Sequence, residues 1–295
     1  MAGMVAATIN LNKDIRMSDE DFSNLREFIY TRTGIYLQDN RRYLLENRLI
    51  SRLLDLNLTS FKDYYSFLRY DPGREEEITR LFDLIITKET SFFRDIVLLN
   101  IFQEVILKEI VKNQLKQNKT QLRIWSAGCS TGDEAYTIAI ILCEMFGDEI
   151  DNWDVKIIAN DLSRCSLKFA QRGIYSPYSL RHTPIHLIKK YFKRIGSGKY
   201  QIIPKLGKLV KFVHLNLTDP FKMKRMPIFQ VIFCRNVLVY FGEDTQKRVL
   251  GFFYDKLVDN GYLLLGHSEL LPKGCSLFKP IRYEDSIVYK KVVQK

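Results

Sequence analysis

Residues 122–134, LRIWSAGCSTGDE, combine a short apolar run, a turn bearing Gly128 and Gly132, and a helix start. In an open parallel sheet such a strand-to-helix turn is where ligands bind, because glycine lets backbone approach closely and a helix N-terminus favours an anionic group. No GK[ST] follows, so this is not a P-loop, and the third glycine of the dinucleotide fingerprint is missing. Asp133 and Glu134 would repel a polyphosphate and suit a cationic ligand better. Asp161 closes a second apolar run, IIAND, where nucleotide-binding sheets grip ribose hydroxyls. A nucleoside with a positive centre and a carboxylate but no polyphosphate is S-adenosylmethionine. A glycine turn that serves packing alone is the competing reading of these residues.

Such residues need a sheet to hold them. Apolar runs at 122–127, 155–159, 210–215, 230–234, 262–265 and 286–293 alternate for the most part with helical patterns, notably at 134–146, 163–172 and 244–258. This predicts an α/β fold, a doubly wound, mostly parallel sheet with helices on both faces. Gly196, Gly198, Pro204 and Gly207 break the alternation and predict a small antiparallel β-subdomain, inserted at about 176–212. Upstream, residues 18–86 read as helices. Ser18 and Asp21 form a capping-box-like start, Phe22, Leu25, Phe28 and Ile29 recur at helical spacing, and Gly34 stops the first helix. A second helix spans roughly 39–56, two more span 60–70 and 74–86 around Asp71-Pro72-Gly73, and a further one spans about 96–115. The expected domains are therefore 1–95, helical, and 96–295, α/β.

Apolar residues at 46% and charged ones at 27% describe a folded globular chain. No apolar run approaches the roughly 18 residues of a membrane span, and the first residues lack the pattern of an export signal, so a cytoplasmic protein without membrane insertion is expected. Cys129, Cys143, Cys165, Cys234 and Cys275 are widely spaced and odd in number, which suits reduced thiols rather than a disulfide framework or zinc knuckle. His182 and His186 are four apart, but Pro184 between them spoils a helical metal pair, and no metal is expected. The formal net charge is +11. Residues 162–218 contain no Asp or Glu and twelve Lys or Arg, so this segment carries +12 and the remainder 11 − 12 = −1. Arg41, Arg48 and Arg52 fall at i, i+7 and i+11, in one narrow helical stripe. The stripe and the insertion at 189–211 are the two candidate docking surfaces for an acidic partner, and a plain solvated face is the alternative.

Four segments carry a family likeness. They are ITKETSFFRD (86–95), WSAGCSTGDEAY (125–136), FCRNVLVYF (233–241) and LGHSE (265–269), in that order. Together they resemble the CheR family of chemoreceptor glutamate methyltransferases, over about Ser18 to the C-terminus. The resemblance implies a helical N-terminal domain, an S-adenosylmethionine-binding α/β domain and an inserted β-subdomain. It implies that Thr90, Arg94, Glu134, Asp161, Asn216, Leu217, Arg235 and Asn236 line the cofactor beside Gly128 and Gly132, with Arg94 and Tyr240 nearest the methyl group and catalytic. It further implies methyl ester formation on receptor glutamates, S-adenosyl-L-homocysteine as product, and a glutamate-bearing receptor helical bundle as partner. Lys88 stands where the family usually has asparagine, and Asp133-Glu134-Ala135 replaces Glu-Glu-Pro. The segment RIGSGKY (194–200) lacks a longer glycine-rich turn and looks more like members that need no receptor pentapeptide, so the Arg41, Arg48, Arg52 stripe is expected to carry most of the docking.

The chemistry fits. A glutamate carboxylate with a reference pKa of about 4.3 is already ionised at neutral pH and needs no general base. Catalysis then reduces to placement, in which orientation alone is worth roughly 7–11 kcal/mol. The rivals are a nucleic-acid methyltransferase and a non-catalytic basic module. The first lacks adjacent prolines and a Pro-Cys nucleophile here, and the joint presence of Asp161, Arg94 and Tyr240 argues against the second. His267 reads as structural.

Overall fold

The computed structural model describes residues 15–86, 89–283 and 286–293; Lys88 lies outside them. The chain divides into two compact units, Met1–Thr87 and Lys88–Lys295, so residues 88–95 belong to the second rather than the first.

The first unit is helical. Ser18 and Asp21 reciprocally cap α1 (Asp19–Thr33), and Gly34 closes it at φ 73°. Residues 39–41 form a single 3₁₀ turn, and α2 (Arg42–Asp55) starts only after it. Leu25 and Ile29 pack with Leu45, Leu49 and Leu53 of α2, Tyr64 and Leu68 of α3 (Phe61–Tyr70), and Ile78 and Leu81 of α4 (Arg74–Ile85). The packing of α2 on α4 engages two arginines of the stripe within the helical unit. Arg52 forks onto Glu77, Nε to Oε1 at 3.0 Å and Nη2 to Oε2 at 2.6 Å, and Glu77 also accepts the Tyr64 hydroxyl at 2.8 Å. Arg48 Nη1 donates to the carbonyls of Leu84 and Ile85, at 2.8 and 2.9 Å. These end α4, where carbonyls have no intrahelical partner. Both guanidiniums are spent on holding helices together; Arg41 alone of the three is exposed.

The second unit begins with α5 (Ile96–Ile101), which passes through a π-helical turn at Phe102–Leu107 into α6 (Lys108–Lys116). Its main sheet contains β1 (Gln121–Ala127), β2 (Asp154–Asp161), β6 (Val210–His214), β7 (Phe229–Cys234), β8 (Leu257–Leu265), β9 (Phe278–Tyr283) and β10 (Ser286–Lys291), in the order β6-β2-β1-β7-β8-β10-β9. The first five of these are parallel, and β10 runs antiparallel to both its neighbours. Alternate residues feed two cores. Leu122, Ile124, Val231 and Phe233 face one, while Trp125, Ala127, Ile232 and Cys234 face the other. Burial on both faces is why these strands read as continuous apolar runs. Helices α7 (Asp133–Phe146), α8 (Arg164–Arg172), α11 (Pro220–Lys224) and α12 (Glu243–Lys256) connect the strands. The sequence reading missed β9, whose Pro280 argues against a strand and is tolerated because β9 is an edge.

The inserted sheet, in the order β3-β5-β4, joins Ile174–Tyr175 (β3), Phe192–Ile195 (β4) and Lys199–Ile202 (β5), all antiparallel. Helices α9 (Ile185–Tyr191) and α10 (Pro204–Leu209) flank it. The five cysteines are free thiols, and Cys129, Cys143 and Cys234 are buried. Among the described residues no helix is long and apolar enough to cross a membrane, and no group of His, Cys, Asp or Glu could hold a metal ion.

Candidate functional site

Strand order reverses between β1 and β7, and a doubly wound sheet binds ligands in the crevice outside the carboxyl ends at that point. Most of the expected site residues lie there. The exceptions are Thr90 and Arg94, which come from the segment before α5, and Tyr240, which lies farther along the loop after β7.

Asn160 fastens three strand ends at once. Its carbonyl accepts the N–H of Gly128 and of Cys129 at 2.9 and 2.8 Å, its Oδ1 accepts Trp125 Nε1 at 2.7 Å, and its Nδ2 donates to the Leu215 carbonyl at 2.9 Å. The turn beyond needs both glycines. Gly128 sits at φ +79° and Gly132 at φ +87°, and a Cβ on them would lie 2.4 Å from Val237 Cγ2 and 2.8 Å from Ala170 Cβ. The protein's own side chains fill those spaces, so the glycines shape the turn rather than open it toward a ligand.

Asp161 is not the free acceptor that its strand-end position suggested. It is 6% exposed, and its carboxylate accepts Ser130 N and Ser163 N, both at 2.8 Å. It thereby locks the β1 turn to the β2 turn.

Glu134, in the first turn of α7, accepts Ser126 Oγ at 2.7 Å and Arg235 Nη1 at 3.1 Å. Arg235, with a side chain 5% exposed, also donates Nη2 to the Arg94 carbonyl at 2.9 Å and to Asp95 Oδ2 at 3.4 Å. One buried guanidinium thus binds three segments, as its planar fork permits. The segment it holds is bent: Phe93 has φ +53° and Asp95 φ +66°, an uncommon conformation for a bulky side chain that the surroundings must enforce. Phe93 N donates to Thr137 Oγ1 at 3.1 Å, and Phe92 is wedged edge-on against Tyr175 and Phe192. Arg94 is half-buried, with Nη1 on the Glu89 carbonyl at 2.9 Å. Thr90, half-buried, precedes it.

Asn216 folds its side chain back onto Thr218, accepting N–H and hydroxyl at 3.0 and 2.9 Å, and Leu217 is buried beside it. Asn236 is in the left-handed region at φ +59°. Tyr240, at the end of a 3₁₀ turn, is 36% exposed. The sequence reading missed Asp95, Ser126 and Asn160 although all three stand inside or beside the quoted segments, because nothing in spacing shows a side chain serving its neighbours' backbone.

Several ionisable groups of the site are buried. Burial pushes the Asp133 carboxyl up to about 6, against the hydrogen bond from Thr131, and the buried Cys129 thiol is pushed up by desolvation and by Asp161. Three buried polar atoms here, Ser130 Oγ, Asp133 Oδ1 and Arg235 Nε, have no hydrogen-bond partner among the described residues. Carboxylates at Glu134 and Asp161, guanidiniums at Arg94 and Arg235 and these unpaired atoms therefore lie together at the carboxyl ends of the strands.

Comparison with known proteins places the chain in a family. Residues 88–287 match the family described as CheR methyltransferase, SAM binding domain, and residues 20–86 match CheR methyltransferase, all-alpha domain. A chemotaxis protein methyltransferase of Borreliella burgdorferi is 36% identical over 283 residues, 95% of this chain and 97% of that one. Chemotaxis protein methyltransferase 2 of Vibrio cholerae is 33% identical over 278 residues, 94% and 95% of the two chains. The chemotaxis protein methyltransferase of Escherichia coli K12 is 32% identical over 272 residues, 90% of each.

Proposed function

This chain belongs to the CheR methyltransferase family and is an S-adenosylmethionine-dependent methyltransferase of the chemotaxis class, and we propose that it esterifies glutamate side chains of chemoreceptors in the cytoplasm. The observation that carries the reading is the Arg235 cluster. It gathers Glu134, Asp95 and the Arg94 backbone at the carboxyl ends of β1 and β7, with Tyr240 on the same loop as Arg235.

Glu134, Arg235, Asp161, Asn216, Leu217, Asn236 and Thr90 would hold the cofactor. When bound, it supplies an electrophilic methyl group on a sulfonium sulfur. The chain's own residues contribute placement. The Arg94 guanidinium spends one nitrogen on the Glu89 carbonyl, which fixes its direction and leaves donors for an acceptor carboxylate. Tyr240 offers a ring face for a positive centre and a hydroxyl for the acceptor. An ionised glutamate requires no base, and excluding water strengthens each of these contacts.

Docking rests on the insertion. Lys193, Arg194, Lys199, Lys208 and Lys211 are exposed, with no acid in the segment to offset them. The tight turn Gly196–Gly198 between two four-residue strands supports tethering-independent action. The test incubates the protein with methyl-tritiated cofactor and either receptor cytoplasmic fragments or nucleic acid. Base-labile label on receptor glutamates is expected; label on nucleic acid alone would replace this reading.

A further inference from the structure

We infer that Glu269 is a positioning residue for the transfer step, holding the loop that presents Asn236 and Tyr240; this rests on the function proposed above. Glu269 is 5% exposed, and its two oxygens accept four backbone N–H groups. Oε2 takes Asn236 N at 2.6 Å and Gly266 N at 2.8 Å, and Oε1 takes Val237 N at 2.9 Å and Val239 N at 3.2 Å. Three of the four donors belong to the loop after β7.

That loop holds itself only in part: Tyr240 N and Phe241 N donate to the Val237 and Leu238 carbonyls at 3.1 and 3.0 Å. Asn236 is left-handed, and after it come one 3₁₀ turn and a bridge residue at Phe241 before α12 begins. The N–H groups of Asn236, Val237 and Val239 go instead to Glu269, while the Leu238 and Phe241 carbonyls accept Gln246 Nε2 at 2.9 and 3.0 Å. Buried backbone groups must be paired, and only a carboxylate offers two oxygens able to accept four donors from one position. The fit is close on the other side as well: a Cβ on Gly266 would lie 2.8 Å from Glu269 Oε2 and 3.0 Å from Asn236 N. Arg235 is anchored separately, by Glu134 and Asp95. Glu269 therefore governs the loop from Asn236 to Val239, next to Tyr240, while the Arg235 cluster keeps its own anchors.

The test uses the full chain with Glu269→Gln, whose amide NH₂ would face two N–H donors. S-adenosylhomocysteine affinity, kcat with receptor, and hydrogen exchange of amides 236–239 are measured. Affinity should weaken less than about fivefold, kcat should fall at least about thirtyfold, and exchange at 236–239 should quicken about tenfold while β7 stays protected. Glu269→Asp, with the carboxylate one methylene short, takes its place under the same criteria if the first variant does not fold. Kcat within about threefold of wild type, equal losses of kcat and affinity, unchanged exchange, or two variants that both fail to fold would each overturn the inference. Wild-type protein that binds S-adenosylhomocysteine but labels no receptor defeats the functional reading alone; the exchange of 236–239 still decides whether Glu269 holds the loop.

Discussion

Arg235 Nη1 meets Glu134 Oε2 at 3.1 Å across the point where the strand order reverses, so the first residue after β7 clasps the first turn of the helix after β1. The same guanidinium reaches Asp95 and the Arg94 carbonyl.

Arg235→Lys should show how much depends on that fork. An ammonium is a point charge that can satisfy Glu134 or Asp95 but not both together with the carbonyl. Leaving a buried carboxylate unpaired costs about 3–5 kcal/mol, so calorimetry should show cofactor affinity reduced more than about tenfold, with a lower melting temperature.

Asp161→Ala should weaken cofactor binding and stability together. Its oxygens hold two backbone N–H groups in a buried turn, and each donor left unpaired costs about 1–3 kcal/mol. A variant with unchanged melting temperature would show that those two bonds are not needed to close the turn.

Gly128→Ala meets two obstacles, a positive φ and Val237 Cγ2 at 2.4 Å. Pairing it with Val237→Ala should recover the steric part of the lost stability and leave about 1 kcal/mol from the backbone conformation, measurable in a double-mutant cycle.

Asp133 makes stability depend on pH. Its carboxyl is raised from 3.8 to about 6 by burial, so the folded state holds the proton more tightly than the unfolded one. The stability this contributes is complete below about 3.8 and is lost as pH rises through about 6; two pKa units correspond to about 3 kcal/mol. Asp133→Asn should therefore gain melting temperature over wild type between pH 4 and 7, with no further gain above.

Arg52→Ala and Lys193→Glu/Arg194→Glu should separate structure from docking. The first breaks the Glu77 fork inside the helical unit and should cost about 3–5 kcal/mol with no change in cofactor affinity. The second should leave the melting temperature alone and raise the KM for receptor, an effect that salt screens in wild type.

The sequence by itself determined the strands of the main sheet other than β9, whose apolar runs are dictated by burial on both faces, and the helices of the first unit, whose caps and periodicity are local. It also determined the family, through four ordered segments. Tertiary structure alone decided what individual side chains do to one another. Arg48 and Arg52 lie on a stripe that any helical projection would draw as a surface, yet α4 packs over it and takes their charge. Asp161 and Glu269 are carboxylates whose oxygens are claimed by backbone amides up to 33 residues away. Periodicity reports which face a side chain is on; it carries no information about which distant N–H group will lie against it, because that is set by strand order and by the loops that strand order brings together.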